Sequence, residues 1–350
     1  MIITSAFTLH TSFSTIIPLY HSFLLDQFGV IHNGSKSLHG ASDCIETMVR
    51  ENKKLAILSN TSSPSHVALS KLSKYGLRQD MFAGGLVSSG EECLKYVKET
   101  YSSSSKALWF TWKESEQQSP LEFLQCCENE DDRIGIAESV TEADFILLHG
   151  SEVWRRQRET EHSASDVVQD LNFMYNQDFS VIDPILEASA KRKLPMVCAN
   201  PDLVVTLPGG VVGNMPGQIA RRYEEMGGRV TQFGKPNPRH FISCIENLGI
   251  YTEHSKHISG VAHVGDSLEH DIVGANAAGI DSIFVIGGIH AKDLGLKPTA
   301  SDGPGFTILD DDQQSTGANS VTKQDLTIRL QRLFDERGIY PTHVVPSLSL

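Results

Sequence analysis

The sequence predicts an α/β protein in which an open, doubly wound parallel sheet carries a second α/β unit inserted into it. Three observations predict this. Short apolar runs end in a polar residue or glycine. Segments with helical spacing of apolar residues separate these runs, which is the βαβ rhythm of a parallel sheet. Near residue 90 that rhythm changes character, and it resumes after residue 200.

The first fifteen residues are rich in Ser and Thr and hold no Asp, Glu, Lys or Arg. Residues 1–19 are therefore expected as a disordered leader. The alternative is a transit peptide, which is usually Arg-rich and would direct the chain to an organelle. Phe23-Leu24-Leu25 is a buried-strand run ending in Asp26, with Gly29 and Gly34 in the following loop. Ile45, Met48 and Val49 sit at helical spacing within 41–53, and Leu55 to Leu58 is a second strand run ending at Ser59-Asn60-Thr61. A helix should follow, with Ser63 as N-cap, Pro64 in the first turn and Gly76 as the stop.

In the middle of the chain Ser102 to Ser105 and the acidic run Glu128 to Asp132 read as loops, and Ala107 to Trp112 and Phe145 to His149 as strands. Glu152 to Asp170 is polar and charged, helical at best. Asp183 to Lys193 is a helix, and Pro195 to Ala199 is a strand running into Asn200-Pro201-Asp202. The expected division is a Rossmann-like core over 20–89 and 201–350, with residues 90–200 as the inserted α/β unit. In the second core segment, helices are expected over Gln218–Met226, Arg239–Leu248, Asp271–Ala278 and 322–337. Strands are expected over Val230–Phe233, Val261–Val264, Ser282–Val285 and His343–Val345, with a loose acidic loop over 301–319.

With 350 residues and a net charge of −13, the chain is long enough for two domains and is a poor match to phosphate backbones or anionic membrane surfaces. Neither nucleic acid nor membrane is expected as a partner, and no apolar run approaches the roughly 20 residues of a membrane span. The six cysteines lack CxxC or zinc-type spacing and read as reduced thiols of a cytoplasmic protein.

Ligands of an open parallel sheet bind beyond the carboxyl ends of its strands. There the sequence puts Asp26, Ser59, the loop before Lys235, and Asp266, with Asp271 five residues further on. Singly, each is the ordinary residue of a turn, cap or surface loop; in this order and on this rhythm they make a site for phosphoryl chemistry. Such chemistry needs a nucleophile, a metal and charge compensation. Asp26 can form an aspartyl-phosphate. Mg²⁺ requires hard oxygen ligands, which Asp26, Asp266 and the main-chain carbonyl of Phe28 can supply. Asp271 can ligate directly or hold metal-bound waters. Ser59 and the N–H groups of Asn60 and Thr61 can cradle phosphate, and Lys235 offsets the charge. Gly228 to Lys235 is not a nucleotide P-loop, because its glycine spacing is one residue too long and Pro236 stands where Ser or Thr is needed.

The segments Phe23-Leu-Leu-Asp-Gln-Phe-Gly-Val-Ile, Ile57-Leu-Ser-Asn-Thr, Gly234-Lys-Pro-Asn-Pro and Val264-Gly-Asp-Ser-Leu-Glu-His-Asp-Ile-Val-Gly-Ala resemble the four motifs of the haloacid dehalogenase superfamily. A large insert between the second and third motifs, bounded by Ser88-Ser89-Gly90 and Ala199-Asn-Pro-Asp202, is similar to subclass IIA, in which an α/β cap covers the site. The resemblance implies a Mg²⁺-dependent phosphatase of a small phosphorylated metabolite. Superfamily phosphatases usually carry a second Asp two residues after the nucleophile, protonating the leaving oxygen. Here that position is Phe28, as in a subgroup with an aromatic residue there, and His32 and His39 lie nearby in sequence. The alternative reading is therefore a low-turnover metal- and phosphate-binding protein on the same fold. Haloalkanoate dehalogenation needs no metal, so the Asp266/Asp271 pair counts against it.

Overall fold

The computed structural model describes residues 7–114, 120, 123–124, 134–160, 163–207, 211–250, 257–312 and 319–350. The chain divides into two compact units: residues 1–59, 69–87 and 235–350 form the first, and residues 60–68 and 88–234 the second.

The first unit is built on seven strands: β1 (Thr8–Leu9), β2 (Ser22–Leu25), β3 (Lys54–Ser59), β4 (Leu86–Ser88), β5 (Val261–Gly265), β6 (Asp281–Val285) and β7 (His343–Val345). Their order is β1-β7-β6-β5-β2-β3-β4, and the pairs from β1 through β3 are all parallel. Both β2 and β5 are buried along their whole length. This is why they read as continuous apolar runs, since a parallel strand is covered on both faces. Leu24 joins Ala56, Leu58, Val87 and Val261 in a cluster with Phe241, Cys244 and Ile245 of helix Pro238–Asn247. That helix starts cleanly: Asn237 accepts from Arg239 N–H at 3.0 Å, and Pro238 occupies the first turn. Phe284 and Val344 pack instead with Leu326, Leu330 and Phe334 of helix Lys323–Arg337. Helix α1 (Ala41–Arg50) buries Ala41, Cys44, Ile45 and Met48, the i, i+3, i+4, i+7 stripe of an amphipathic helix.

Residues 7–19 depart from the expected leader. Thr8–Leu9 adds β1 in parallel to β7, Phe7 meets Phe334 edge-on with ring centroids 5.0 Å apart, and Phe13, Ile16 and Ile17 are buried. Phe23 lies next to Leu24 on the strand and so points to the opposite face; it packs on Phe13 and Tyr20. Its buried apolar residues Phe7, Phe13, Ile16 and Ile17 anchor the stretch to the first unit. Residues 1–6 lie outside the described part.

The second unit holds its own sheet, with strands in the order Arg229–Gln232, Pro195–Cys198, Phe145–Leu148, Lys106–Thr111, Val153–Thr160 and Ser163–Asp170; Gly135–Ile136 also pairs with Lys106–Thr111. The first four run parallel. Alternate residues of Lys106–Thr111 point to opposite faces. Leu108 and Phe110 pack with helices Ile182–Lys191 and Pro216–Glu225, and Ala107 and Trp109 with helix Ser89–Thr100. The segment expected as helical at best, 152–170, is an antiparallel hairpin in which Val153 pairs with Asp170 and Gln157 with Asp166. Arg155 is buried within it, and its Nε–H donates across the two strands to Asp166 Oδ2 at 3.0 Å.

The unit runs on to Gly234, beyond the expected boundary at residue 200. Val230 pairs with Met196, Ile219, Ala220 and Tyr223 lie in its core, and the Tyr223 hydroxyl donates to the Leu194 carbonyl at 2.7 Å. Within the expected acidic loop 301–319, Thr307–Leu309 is a short strand paired with Ser320–Thr322, and residues 313–318 are outside the described part. Cys44, Cys93, Cys198 and Cys244 are buried and form no disulfide, and among the described residues no helix is long and apolar enough to cross a membrane.

Candidate functional site

The site of the first unit forms where β2, β3 and β5 end. Asp26 follows β2 directly, and its N–H donates to the Val264 carbonyl at 2.9 Å, so the ladder between β2 and β5 fixes its backbone. Ser59 closes β3 and is buried. Asp266 follows β5, and Ile289 N–H donates to its Oδ2 at 2.9 Å. Lys235 enters from the loop before helix Pro238–Asn247. Its ammonium lies 2.7 Å from Asp26 Oδ1 and 2.7 Å from Asp271 Oδ1, and only 2% of the residue is exposed.

Asp271 is held from several sides. Its Oδ1 also accepts from His263 Nε2 at 2.7 Å, and its Oδ2 accepts from Ser267 N–H at 3.0 Å. The turn that carries it differs from the expected Asp271–Ala278 helix. Leu268–Ile272 is one turn of π-helix, in which Ile272 N–H reaches Ser267 O at 3.2 Å, and the α-helix begins only at Val273. The wider turn accommodates one more residue than an α-turn, a device found often at functional sites.

Two glycines make room for Asp266. A Cβ on Gly29, whose φ is +79°, or on Gly288 would overlap the Asp266 carboxylate. The backbone therefore packs directly against this side chain, and any larger residue would displace it. Phe28 places its ring edge-on to His32 at 5.6 Å, and Gly34 leaves space for that ring.

Asp26, Asp266 and Asp271 each offer an oxygen within 4.8 Å of the others. Burial, together with Asp26 and Asp271, pushes the Asp266 carboxyl well above the usual carboxylate range. Burial would raise Asp271 as well, but the Lys235 ammonium and the His263 hydrogen bond win and hold it low. Lys235 is itself raised: burial opposes its charge, and the two carboxylates outweigh burial. Three carboxylates face one ammonium here, so the fully ionised cluster carries an excess of negative charge. A purely oxygen donor set with that excess suits a hard divalent cation such as Mg²⁺.

The structure thus brings Asp26, Lys235, Asp266 and Asp271 together in the first unit, with Ser59 ending the neighbouring strand. Asn60 and Thr61, next in the chain, belong to the second unit, where Asn60 Nδ2 donates to Asp202 Oδ1 at 2.7 Å and the Thr61 carbonyl accepts from Gly90 N–H at 3.0 Å. His32 is a buried loop residue with both ring nitrogens engaged. Sequence reasoning passed over His263. The available signal was a lone histidine inside the wholly buried run Val261-Ala-His-Val-Gly265, where a polar group must have a partner.

Two family models and several known proteins resemble this chain. Residues 23–119 match a family model described as haloacid dehalogenase-like hydrolase, and residues 232–311 one described as HAD-hydrolase-like. A dihydroxyacetone phosphatase of Corynebacterium glutamicum is 27% identical over 93 residues; the match spans 27% of this chain and about a third, 32%, of that protein. Among solved structures, a possible sugar phosphatase from Cytophaga hutchinsonii is 18% identical, with 98% of this chain and 99% of that chain covered and a TM-score of 0.63. A haloacid dehalogenase-like hydrolase from Brucella suis is 19% identical, with 89% and 97% covered and a TM-score of 0.62. A glycerol phosphate phosphatase from Mycobacterium tuberculosis, in complex with calcium, is 14% identical, with 95% and 92% covered and a TM-score of 0.54. At these identities the structural likeness concerns the fold.

Proposed function

The chain belongs to the haloacid dehalogenase-like hydrolases, and from that premise we propose a Mg²⁺-dependent phosphatase that passes the phosphoryl group of a small metabolite through Asp26. The observation that carries this reading is the buried constellation of Asp26, Asp266 and Asp271 around the Lys235 ammonium. Asp26, Asp266 and the Phe28 carbonyl would hold Mg²⁺, which when bound supplies charge neutralisation for the phosphoryl oxygens. Asp271, whose two oxygens are taken by Lys235, His263 and Ser267, acts chiefly by orienting Lys235 and closing the metal's surroundings.

In the first step an Asp26 carboxylate oxygen attacks phosphorus, the P–O bond to the leaving group breaks, and the leaving oxygen departs with the electron pair. In the second, water attacks the same phosphorus and restores Asp26, releasing inorganic phosphate. Lys235 keeps Asp26 ionised and oriented, Ser59 with the N–H groups of Asn60 and Thr61 hold the phosphoryl oxygens, and the second unit serves as the substrate-selecting cap. Phosphatase names among the relatives support a phosphorylated small molecule as substrate.

The second reading, a metal- and phosphate-binding protein of low turnover, is favoured by one feature: Phe28 occupies the general-acid position and the adjacent His32 is structurally committed. Turnover measured with Mg²⁺ on a panel of sugar phosphates, nucleotides, aryl phosphates and acyl phosphates separates the two. Hydrolysis of any member, lost in Asp26→Asn, supports the phosphatase; phosphate binding without hydrolysis of any member overturns it.

A further inference from the structure

Ligands of an open parallel sheet collect beyond the carboxyl ends of its strands, and the second unit has such an edge. It is already filled by its own chain. Strands Lys106–Thr111, Phe145–Leu148 and Pro195–Cys198 are neighbours in that sheet, and the segment after each sends a polar group to residues 60–62. Trp112 Nε1–H donates to Ser62 Oγ at 2.8 Å. His149 Nε2 meets the Ser62 carbonyl at 3.2 Å, and its Nδ1 lies 2.8 Å from Thr111 Oγ1. A carbonyl only accepts, so Nε2 carries the hydrogen and the Thr111 hydroxyl donates to Nδ1. Asp202 Oδ1 accepts from Asn60 Nδ2 at 2.7 Å. The start of helix Ser89–Thr100 completes the grip. Gly90 N–H donates to the Thr61 carbonyl, and a Cβ on Gly90 would overlap the Ser62 carbonyl.

Ser62, Trp112 and His149 are all buried, with 3%, 7% and 3% of their surface exposed. A tryptophan, a histidine and an aspartate spent on one tripeptide exceed what a surface turn requires. Burial also holds His149 far below its usual pKa, at about 3, so it remains a neutral donor with a fixed tautomer across working pH.

We infer that Trp112, His149 and Asp202 are positioning residues that set the Asn60–Ser62 loop for phosphate binding, so that the carboxyl edge of the second sheet serves the loop. The inference rests on the phosphatase reading, in which the N–H groups of Asn60 and Thr61 bind the phosphoryl oxygens. Its signature is a loss of phosphate affinity greater than the loss of chemical rate, because a displaced loop weakens ground state and transition state alike.

The test uses the full chain with Mg²⁺, p-nitrophenyl phosphate as substrate and inorganic phosphate as competitive inhibitor. Trp112→Phe removes the indole donor together with part of the ring, and Ser62→Ala removes the same bond from its other end with a much smaller change in volume, so a folding defect in the first leaves the second informative. Each should raise KM and the phosphate inhibition constant together by about three- to tenfold, the range of one neutral hydrogen bond, with kcat little changed. The double variant should be no worse than the more affected single one. An unchanged inhibition constant in both, alongside lowered thermal stability, would show ordinary packing and overturn the inference while leaving the phosphatase intact. A wild-type protein that neither turns over nor binds phosphate would overturn the functional reading, and this inference with it.

Discussion

The imidazole of His32 lies flat on the ring of Tyr75, with centroids 4.0 Å apart and planes 16° from parallel. Gly34 N–H donates to His32 Nδ1 at 3.1 Å, so Nε2 carries the hydrogen, directed at Gln27 Oε1 at 3.3 Å. The Tyr75 hydroxyl in turn donates to the Gly34 carbonyl at 3.1 Å. His32 is therefore a strut of the loop after Asp26, and its ring has no nitrogen left for a substrate.

That role gives a pH dependence with a definite sign. Burial, with a smaller contribution from Lys74, lowers the His32 pKa to about 4, against an ordinary value near 6.5 in the unfolded chain. Between these values the unfolded state binds the extra proton. The stability due to neutral His32 is complete above pH 6.5 and is lost as pH falls toward 4. Urea unfolding at pH 7.5 and 5 should show wild type losing about 2 kcal/mol more than His32→Gln over that interval. Equal losses in the two proteins would remove His32 from the account.

Without an acid at Phe28, the leaving oxygen must depart as an anion. Rates should climb steeply as the leaving group becomes more acidic, with acyl and aryl phosphates well ahead of alkyl esters. A general acid typically contributes about 10²–10⁴-fold. Phe28→Asp should raise alkyl-ester turnover by a part of that, since the new carboxylate would occupy space shaped for a ring between His32 and Gly34. A flat dependence on leaving-group pKa in the wild type would mean that another residue donates the proton.

Asp266→Asn tests the metal assignment without depending on turnover. Mg²⁺ at a hundred times its dissociation constant should stabilise the wild type by about 2.7 kcal/mol. The variant should show little of that thermal shift while its metal-free stability equals or exceeds that of wild type, because a crowded buried carboxyl has been neutralised. An undiminished Mg²⁺ shift in the variant would place the cation elsewhere.

Lys235→Met removes the cation from a nest of three carboxylates. Breaking a buried pair from one side costs about 3–5 kcal/mol, so the metal-free variant should melt far below wild type. Mg²⁺ should restore more stability to this variant than it adds to the wild type, while turnover stays lost. A melting temperature within a degree of wild type would mean that Lys235 is not the counter-charge of Asp26 and Asp271.

Much of the first unit was legible because burial on both faces writes parallel strands as bare apolar runs. Phe23 to Leu25, Leu55 to Leu58 and Val261 to Val264 announce their strands, and the polar residue ending each lands at the site. What escaped had the wrong surface. Arg229–Gln232 is short and largely exposed, so nothing in Arg-Val-Thr-Gln tells which sheet it joins; only its pairing with Pro195–Cys198 does. The 153–170 segment hides its strands because Arg155, although buried, stands next to Arg156 and breaks the apolar alternation. Trp112 and His149 looked like strand residues because their partner, Ser62, lies 50 and 87 residues away.

The strand Thr8–Leu9 has a consequence for handling the protein. It caps the outer side of His343–Val345, with Thr8 opposite His343 and Leu9 opposite Val344, and it brings Phe7 onto Phe334. A recombinant version trimmed to the first recognisable motif, beginning near residue 20, would keep every residue of the proposed phosphoryl site. It would also bare the hydrogen-bonding edge of His343–Val345 and the apolar ground beneath Phe13. An uncovered parallel edge recruits strands from other molecules, so the trimmed protein is expected to cluster into soluble oligomers or inclusion bodies.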